Sequence, residues 1–123
     1  MMSGEKNRES MSQLNELASN YFKKEGYDIK YESVTREGYS GVPRYFNMIV
    51  QRGRNEQPVW IRNWNRTIGV NVIIGLDTAT ADIGLSNPIM IGEKFSDHAK
   101  SYSNRRKIML LTRHKIATSL RSY

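Results

Sequence analysis

Apolar residues near the start of the chain recur at the spacing of one helical face. Ser10 and Gln13 have the spacing of a capping box, and Gly26 is typical of a left-handed residue that ends a helix. The pattern predicts an amphipathic helix that begins at Ser10 and ends before Gly26, after a flexible N-terminus of residues 1–9. Its buried stripe consists of Met11, Leu14, Leu17, Ala18, Tyr21 and Phe22.

The next part of the chain is rich in β-forming residues. Alternating residues over 27–35 predict one strand, and a largely apolar run over 45–51 predicts a second strand of central position. The polar segment 52–57 predicts a turn, and residues 58–64 predict the returning strand. Together these segments predict an antiparallel β-hairpin.

The later half of the chain alternates between helix and strand patterns. Helices are predicted over 70–83, over 96–106 with Ser96 as N-cap, and over 114–120, with short strands over 88–91 and 108–112. Such alternation favours parallel strands covered by helices. With the hairpin, it predicts an α/β fold in which a mixed central β-sheet is flanked by helices, formed as a single domain over residues 10–123.

Positive charge is concentrated in two parts of the chain, whose formal net charge is +7. All basic residues over 44–66 are arginines, with Glu56 as the only acid, and the stretch from residue 99 to the end has no acid. Segregated positive charge favours a polyanion partner such as a nucleic acid, although a solvated basic surface is the plain alternative. The residues that we expect to contact nucleic acid are Arg44, Arg52, Arg54, Arg62, Arg66, Lys100, Arg105 and Arg106.

The composition also excludes several classes of protein. The chain has no cysteine, which excludes disulfides, zinc fingers and thiol catalysis. No apolar run approaches the roughly 18 residues of a membrane-spanning helix. The first ten residues are polar and mixed in charge, unlike a secretory signal. We therefore expect a cytoplasmic protein without a membrane partner.

The order of predicted elements and several short motifs resemble the restriction-endonuclease-like superfamily of PD-(D/E)xK nucleases. Mrr-type restriction endonuclease domains are the nearest parallel, and archaeal Holliday-junction resolvases are a more distant one. The resemblance covers residues 14–120. The segments that carry it are Trp64–Val70, Leu76–Ala79, Asp82–Ser86, Ile91-Gly92, Phe95–Ala99 and Ile108–Thr112.

The resemblance implies where the catalytic side chains of such a nuclease would lie. In the family, a Glu on the first helix, an Asp on the first hairpin strand and a Glu/Gln-x-Lys on the second bind metal and activate water. The corresponding positions here are Glu16, Asn47, Trp60 and Arg62. Three of the four are changed, so the resemblance implies a retained fold with a degenerate catalytic motif.

The chemistry of the replacing side chains also argues against a metal site. Mg²⁺ requires anionic oxygen ligands, usually one or two carboxylates. Asn47 offers only a neutral oxygen, Trp60 only an N–H donor, and the Arg62 guanidinium stays protonated. We therefore expect no catalytic residue, no metal and no cofactor, and we interpret the chain as a pseudoenzyme.

Some side chains allow two interpretations. Trp60 and Trp64 would share a strand face with Arg62, either as a stacking platform for an unpaired base or, as we favour, as packing in the former metal site. Asp77 is either a relocated catalytic acid or, as we favour, a residue that pairs locally. The turn Arg52-Gly53-Arg54 suits a phosphate contact and equally an exposed hairpin tip.

The leading hypothesis is a catalytically inactive nuclease homologue that binds DNA through the arginine-rich hairpin and the basic C-terminal third. One alternative is a regulatory or protein-interaction subunit that pairs with itself as a homodimer, or with an active nuclease or a repair partner. Another is a divergent metal-dependent endonuclease, whose activity would depend on Glu16 or Asp77.

Overall fold

The chain folds into four helices and five strands over the residues that are described. A computed structural model describes the backbone of residues 2–63 and 65–121 and the side chains from residue 13 onward. None of its helices is long and apolar enough to cross a bilayer. The elements in chain order are α1 (Met2–Lys24), β1 (Asp28–Glu37), β2 (Pro43–Arg52), β3 (Asn55–Ile61), α2 (Val70–Asp82), β4 (Ile89–Gly92), α3 (Asp97–Arg106), β5 (Met109–Thr112) and α4 (Arg113–Arg121).

The five strands form one mixed sheet in the order β1-β2-β3-β4-β5. The first three strands are antiparallel neighbours, whereas β3, β4 and β5 run parallel. The predicted α/β class with a mixed sheet is therefore confirmed. The parallel strands β3, β4 and β5 begin at the same edge of the sheet. The β2–β3 turn and the C-terminal ends of α2 and α3 therefore lie at that edge.

Each face of the sheet is covered by a pair of helices. Helices α1 and α4 contact each other, as do α2 and α3. One core cluster contains Leu14, Ala18, Tyr21, Phe22, Tyr27, Met48, Val50, Val59, Ile61, Ile89, Ile91, Leu111 and Ile116. The second contains Phe46, Ile68, Ile73, Leu76, Ala79, Met90, Phe95, Ala99 and Ile108.

The N-terminal end of α1 differs from the prediction, whereas its C-terminal end agrees with it. The helix begins at Met2, so the prediction of Ser10 as N-cap is wrong, and residues 2–9, expected to be a flexible N-terminus, have helical backbone. The other end is as predicted. Gly26 has a φ of +89°, and the backbone N–H of Tyr27 donates to the Phe22 carbonyl at 2.8 Å. These are the features of a Schellman motif.

The β2–β3 turn is much shorter than the predicted polar turn over 52–57. Both strands continue until Arg52 pairs with Asn55, which leaves two residues at the tip. Gly53 makes this possible because its φ of +64° suits a tight hairpin turn. Glu56 therefore lies on β3, where it forms an ion pair with Lys30 of β1 at 2.8 Å.

The β1–β2 hairpin is fastened to the end of α2 by one carboxylate. Asp82 accepts hydrogen bonds from the backbone N–H of Ser40 at 2.9 Å, from its hydroxyl at 2.7 Å, and from Nε of Arg44 at 2.9 Å. The hydroxyl of Ser40 and the guanidinium of Arg44 lower the pKa of Asp82 to about 2. The Arg44 side chain is thus engaged in an ion pair that connects β2 to α2.

Candidate functional site

Three of the four residues that the resemblance places at catalytic positions, Asn47, Trp60 and Arg62, lie where β2 and β3 separate. Backbone pairing between these strands extends as far as Met48 and Val59. Beyond that pair, Oδ1 of Asn47 accepts the backbone N–H of Ile61 at 2.8 Å. The Asn47 side chain therefore replaces a strand acceptor, and the oxygen that would be available to a ligand stabilises the fold instead.

The Trp60 indole is joined to the same strand and to the second core cluster. Its Nε1–H donates to the Tyr45 carbonyl at 2.8 Å, and its ring centroid lies 6.4 Å from that of Phe46. The ring is partly buried beside α2, where a Cβ added to Gly75 would lie 3.6 Å from it. Trp60 thus packs as we favoured from the sequence, whereas Trp64 lies outside the described residues.

Arg62 covers the outer part of this cluster. Its guanidinium carbon lies 4.4 Å from the centroid of the Trp60 ring, a cation–π distance. One of its terminal nitrogens donates to the Ile61 carbonyl at 3.3 Å, and its backbone N–H donates to Ile91 at 2.8 Å. Burial lowers the pKa of Arg62. Arg62 therefore keeps a positive charge at the position that the resemblance gives to lysine, but it supplies no oxygen ligand for a metal ion.

Glu16 does not join the other three positions. It is exposed on α1 and lines a cavity of about 310 Å³ together with Arg113. None of Asn47, Trp60 and Arg62 is among the described residues that line this cavity. The contacts therefore join Asn47, Trp60 and Arg62 to neighbouring strands, whereas Glu16 lines a cavity that none of these three lines.

The donor atoms of this region do not suit a divalent cation. Among the described residues, no three His, Asp or Glu side chains are grouped so that they could hold a metal ion. The Asn47 oxygen is engaged by Ile61, and the Trp60 nitrogen is a donor. Since Mg²⁺ binds oxygen and is held by carboxylates, these residues do not fit it.

Asp77 pairs within the protein, as we favoured. Its Oδ2 accepts the hydroxyl of Tyr102 at 2.7 Å and Nε of Arg106 at 2.9 Å, which joins α2 to α3. The hydrogen bond to Asp77 raises the pKa of Tyr102. The carboxylate therefore stabilises the packing of two helices.

The basic residues predicted to contact nucleic acid fall into three groups. Arg44 and Arg106 form ion pairs with Asp82 and Asp77. Arg62 and Arg66 follow β3, at the edge of the sheet where the parallel strands end. The remaining four are exposed and comprise Arg52 and Arg54 beside the β2–β3 turn, and Lys100 and Arg105 on α3.

The β2–β3 turn and the end of α3 meet at the edge where the parallel strands begin. Arg52 and Lys107 line one cavity there, although Lys107 is not among the residues predicted from the sequence. Asn87 lies between them and also escaped prediction, because only its position in the fold distinguishes it from other loop residues. The charge of Lys107 was visible in the sequence, but its proximity to Arg52 was not.

Comparison with known proteins identifies the family. A family model for the Mrr catalytic domain, described as a restriction endonuclease, matches residues 7–120. The chain belongs to the Mrr restriction endonuclease family. Its resemblance to that family, inferred from the motifs, is therefore confirmed.

The fold of this Mrr-type domain is also found in a solved structure. A crystal structure described as "Protein of Unknown Function AF1548" aligns with a TM-score of 0.77 and 15% sequence identity. The alignment covers 89% of this chain and 66% of the other, so this chain spans about two thirds of that protein's length. At this identity the likeness shows the fold alone. A search of curated proteins found no match.

Proposed function

We propose that this Mrr-type domain binds nucleic acid and does not cleave it by a metal-dependent reaction. The hydrogen bond from the Ile61 N–H to Asn47 carries the second part of the proposal, since it engages the oxygen at the family's Asp position. Trp60 and Arg62 supply no anionic oxygen beside it. A metal that lowers the pKa of water and holds a phosphate would have no adequate ligands there.

The charge distribution supports binding. The chain carries a net charge of +7. Arg54 is exposed in the β2–β3 turn, and Lys100 and Arg105 are exposed on α3. Neutralisation of phosphates by lysine and arginine supplies most nonspecific affinity for nucleic acids. Such binding requires no catalytic ligands, so these exposed basic side chains can provide it.

Both parts can be tested with the same purified protein. Labelled duplex, four-way-junction and single-stranded DNA are incubated with it in Mg²⁺ or Mn²⁺, and binding is measured from low to physiological salt. We expect intact DNA and an affinity that falls steeply with salt. An absence of binding to all three forms at low salt would contradict the binding part.

Metal-dependent cleavage would contradict the other part. If that cleavage were abolished by Glu16→Gln or Asp77→Asn, the chain would be the divergent nuclease that the sequence left as an alternative. Glu37→Gln is the matched control, because it removes one exposed carboxylate from β1.

A second candidate function is that of a protein-interaction subunit. The β1–β2 hairpin exposes four large apolar side chains, with Tyr31 42%, Tyr39 86%, Val42 46% and Tyr45 48% accessible. An exposed apolar group of this kind is a common feature of protein contacts. This candidate predicts a homodimer or a complex that Tyr39→Ser weakens, as measured by sedimentation, whereas Arg54→Gln would leave it unchanged.

A further inference from the structure

We propose that nucleic-acid phosphates bind at the edge of the sheet where β3, β4 and β5 begin, and not at the degenerate catalytic positions at the opposite edge. The inference rests on the proposed nucleic-acid binding and adds its location. We call this surface the basic edge and define it by Arg52, Arg54, Arg105, Lys107 and Asn87.

Three cavities lie along the basic edge, with volumes of about 360, 310 and 170 Å³. Asn87 lines all three, so they adjoin one another across this residue. Arg54 lines the smallest, Arg52 and Lys107 the intermediate one, and Arg105 the largest. The cations therefore follow one continuous surface from the hairpin turn to the end of α3.

The acids of this surface are already paired with other basic residues. Asp77 lines the largest cavity and is bound by Arg106 at 2.9 Å. Glu56 lines the smallest and forms ion pairs with Lys30 at 2.8 Å and Arg36 at 3.7 Å. The charges of the four cations that define the basic edge are therefore not cancelled by the carboxylates that line its cavities.

The backbone of the basic edge is held in place by hydrogen bonds. The Asn87 carbonyl accepts Nε2 of Gln57 at 2.8 Å, and its side-chain amide donates to the Lys107 carbonyl at 3.3 Å. Both Asn87 and Lys107 have a left-handed backbone, with φ of +55° and +57°. These bonds connect β3, the loop before β4 and the residue after α3, so the cations project from a fixed frame.

Arg52 is positioned for a phosphate before any ligand arrives. Its guanidinium carbon lies 4.3 Å from the Tyr27 ring centroid, and its two terminal nitrogens donate to the Glu25 carbonyl and the Tyr27 hydroxyl, each at 3.1 Å. A guanidinium has five N–H donors, so these two bonds leave others for an anion. Preorganisation lowers the entropy lost on binding.

The degenerate catalytic positions at the opposite edge are less suited to a phosphate chain, although Arg66 and Lys94 are exposed near them. Arg62 is partly buried against Trp60 there, and burial already lowers its pKa. The basic edge instead presents exposed Arg54, Arg105 and Lys107. Several cations distributed along an edge suit a chain of phosphates better than a single anion.

The test compares two pairs of substitutions that remove equal charge. Arg54→Gln with Lys107→Gln alters the basic edge, and Lys94→Gln with Lys115→Gln alters exposed residues at the opposite edge. Binding of labelled single-stranded and duplex DNA is measured by fluorescence anisotropy over a series of salt concentrations. Circular dichroism and thermal unfolding of both proteins verify the fold.

We expect the basic-edge pair to weaken binding roughly tenfold or more at low salt and to reduce the salt slope by about 2, one for each lost phosphate contact. The control pair should change both far less. Addition of DNA to ¹⁵N-labelled protein should also shift the Asn87 and Lys107 amide resonances. This second measurement does not depend on any substitution.

The other outcomes distinguish a failure of the proposed function from a failure of the proposed location. If the unaltered protein binds no DNA, the proposed function fails. If it binds but the two pairs weaken binding equally, or the control pair weakens it more, only the location is wrong. Equal or tighter binding to vesicles that contain phosphatidylserine would identify an anionic membrane as the partner and would also overturn the inference.

Discussion

At the scale of single residues, Asn47 has a structural role at the junction of β2 and β3. An aspartate at this position in the family contributes to a metal site, as the resemblance implies. Here the amide oxygen completes the hydrogen bonding of β3 by accepting the Ile61 N–H. An acceptor in this place is structural, because a buried N–H without a partner is costly.

Replacing Asn47 with leucine should therefore destabilise the fold. Asn47→Leu keeps a similar volume but leaves the Ile61 N–H without its acceptor, so we expect the free energy of unfolding to fall by about 1–3 kcal/mol. Urea denaturation measures the change, and hydrogen exchange at the Ile61 amide should become faster.

Asn47→Asp is the matched control, because a carboxylate oxygen can still accept the same N–H. We expect it to retain most of the stability. A leucine variant as stable as the unaltered protein would show that Asn47 does not stabilise the junction of β2 and β3.

At the scale of elements, the β1–β2 hairpin depends on Asp82 at the end of α2. The pKa of this carboxyl is lowered from 3.8 to about 2, first by the Ser40 hydroxyl and then by Arg44. A depressed pKa in the folded state means that the stabilisation is fully present above pH 3.8 and is lost as the pH falls towards 2.

Asp82→Asn should remove this part of the acid sensitivity. We expect the variant to be less stable than the unaltered protein near neutral pH, and the difference to shrink as the pH is lowered from about 4 to about 2. Urea midpoints measured across that range provide the test. Glu37→Gln, on the same hairpin, should not show this convergence, and a constant difference for Asp82→Asn would contradict the account.

Gly38 provides a steric test of the same connection. A Cβ at this position would lie 1.9 Å from Oδ2 of Asp82, and that oxygen is held by Ser40 and Arg44. We expect Gly38→Ala to displace the carboxylate and to cost roughly 1–3 kcal/mol, as overpacking does. Thermal unfolding measures this cost.

Gly69→Ala serves as its control, because a Cβ there meets nothing within 4 Å. If Gly38→Ala and Gly69→Ala had the same melting temperature, the close approach of a Cβ at residue 38 to Asp82 would not affect stability.

Two local signals of helix ends were predicted correctly from the sequence. Ser96 caps α3 by accepting the Ala99 N–H, and Gly26 ends α1, because both signals act within a few residues. The predicted turn over 52–57 was wrong because strand pairing extended into polar residues and left Gly53 at the tip. The N-cap at Ser10 was wrong because the helix continues through it.

At the scale of the whole molecule, the sequence gives the amount of charge but not its arrangement. Arg52 and Lys107 are far apart in the chain and line one cavity only because β3 and β5 start at the same edge of the sheet. Likewise, the engagement of Arg44 and Arg106 by Asp82 and Asp77 depends on helix positions that no local pattern encodes.

The side chains at the positions that the resemblance implies for catalysis were known from the sequence, whereas their contacts were not. The residues at two of these positions, Asn47 and Trp60, predicted the loss of metal ligands. The structure adds that Asn47 and Trp60 form hydrogen bonds to the backbone of neighbouring strands, so the altered residues help to hold β2 and β3 together. The sheet that positions a nuclease site thus supports a different set of contacts.

Titration of ¹⁵N-labelled protein with Mn²⁺ shows whether a divalent cation binds at the junction of β2 and β3, because this paramagnetic ion broadens resonances near the site where it binds. We expect no selective broadening of the Trp60 indole N–H, the Asn47 side-chain amide or the Ile61 amide at stoichiometric Mn²⁺. Selective broadening of these three signals, reversed by an excess of Mg²⁺, would show a divalent metal site there and would contradict the proposal that this domain lacks metal-dependent cleavage.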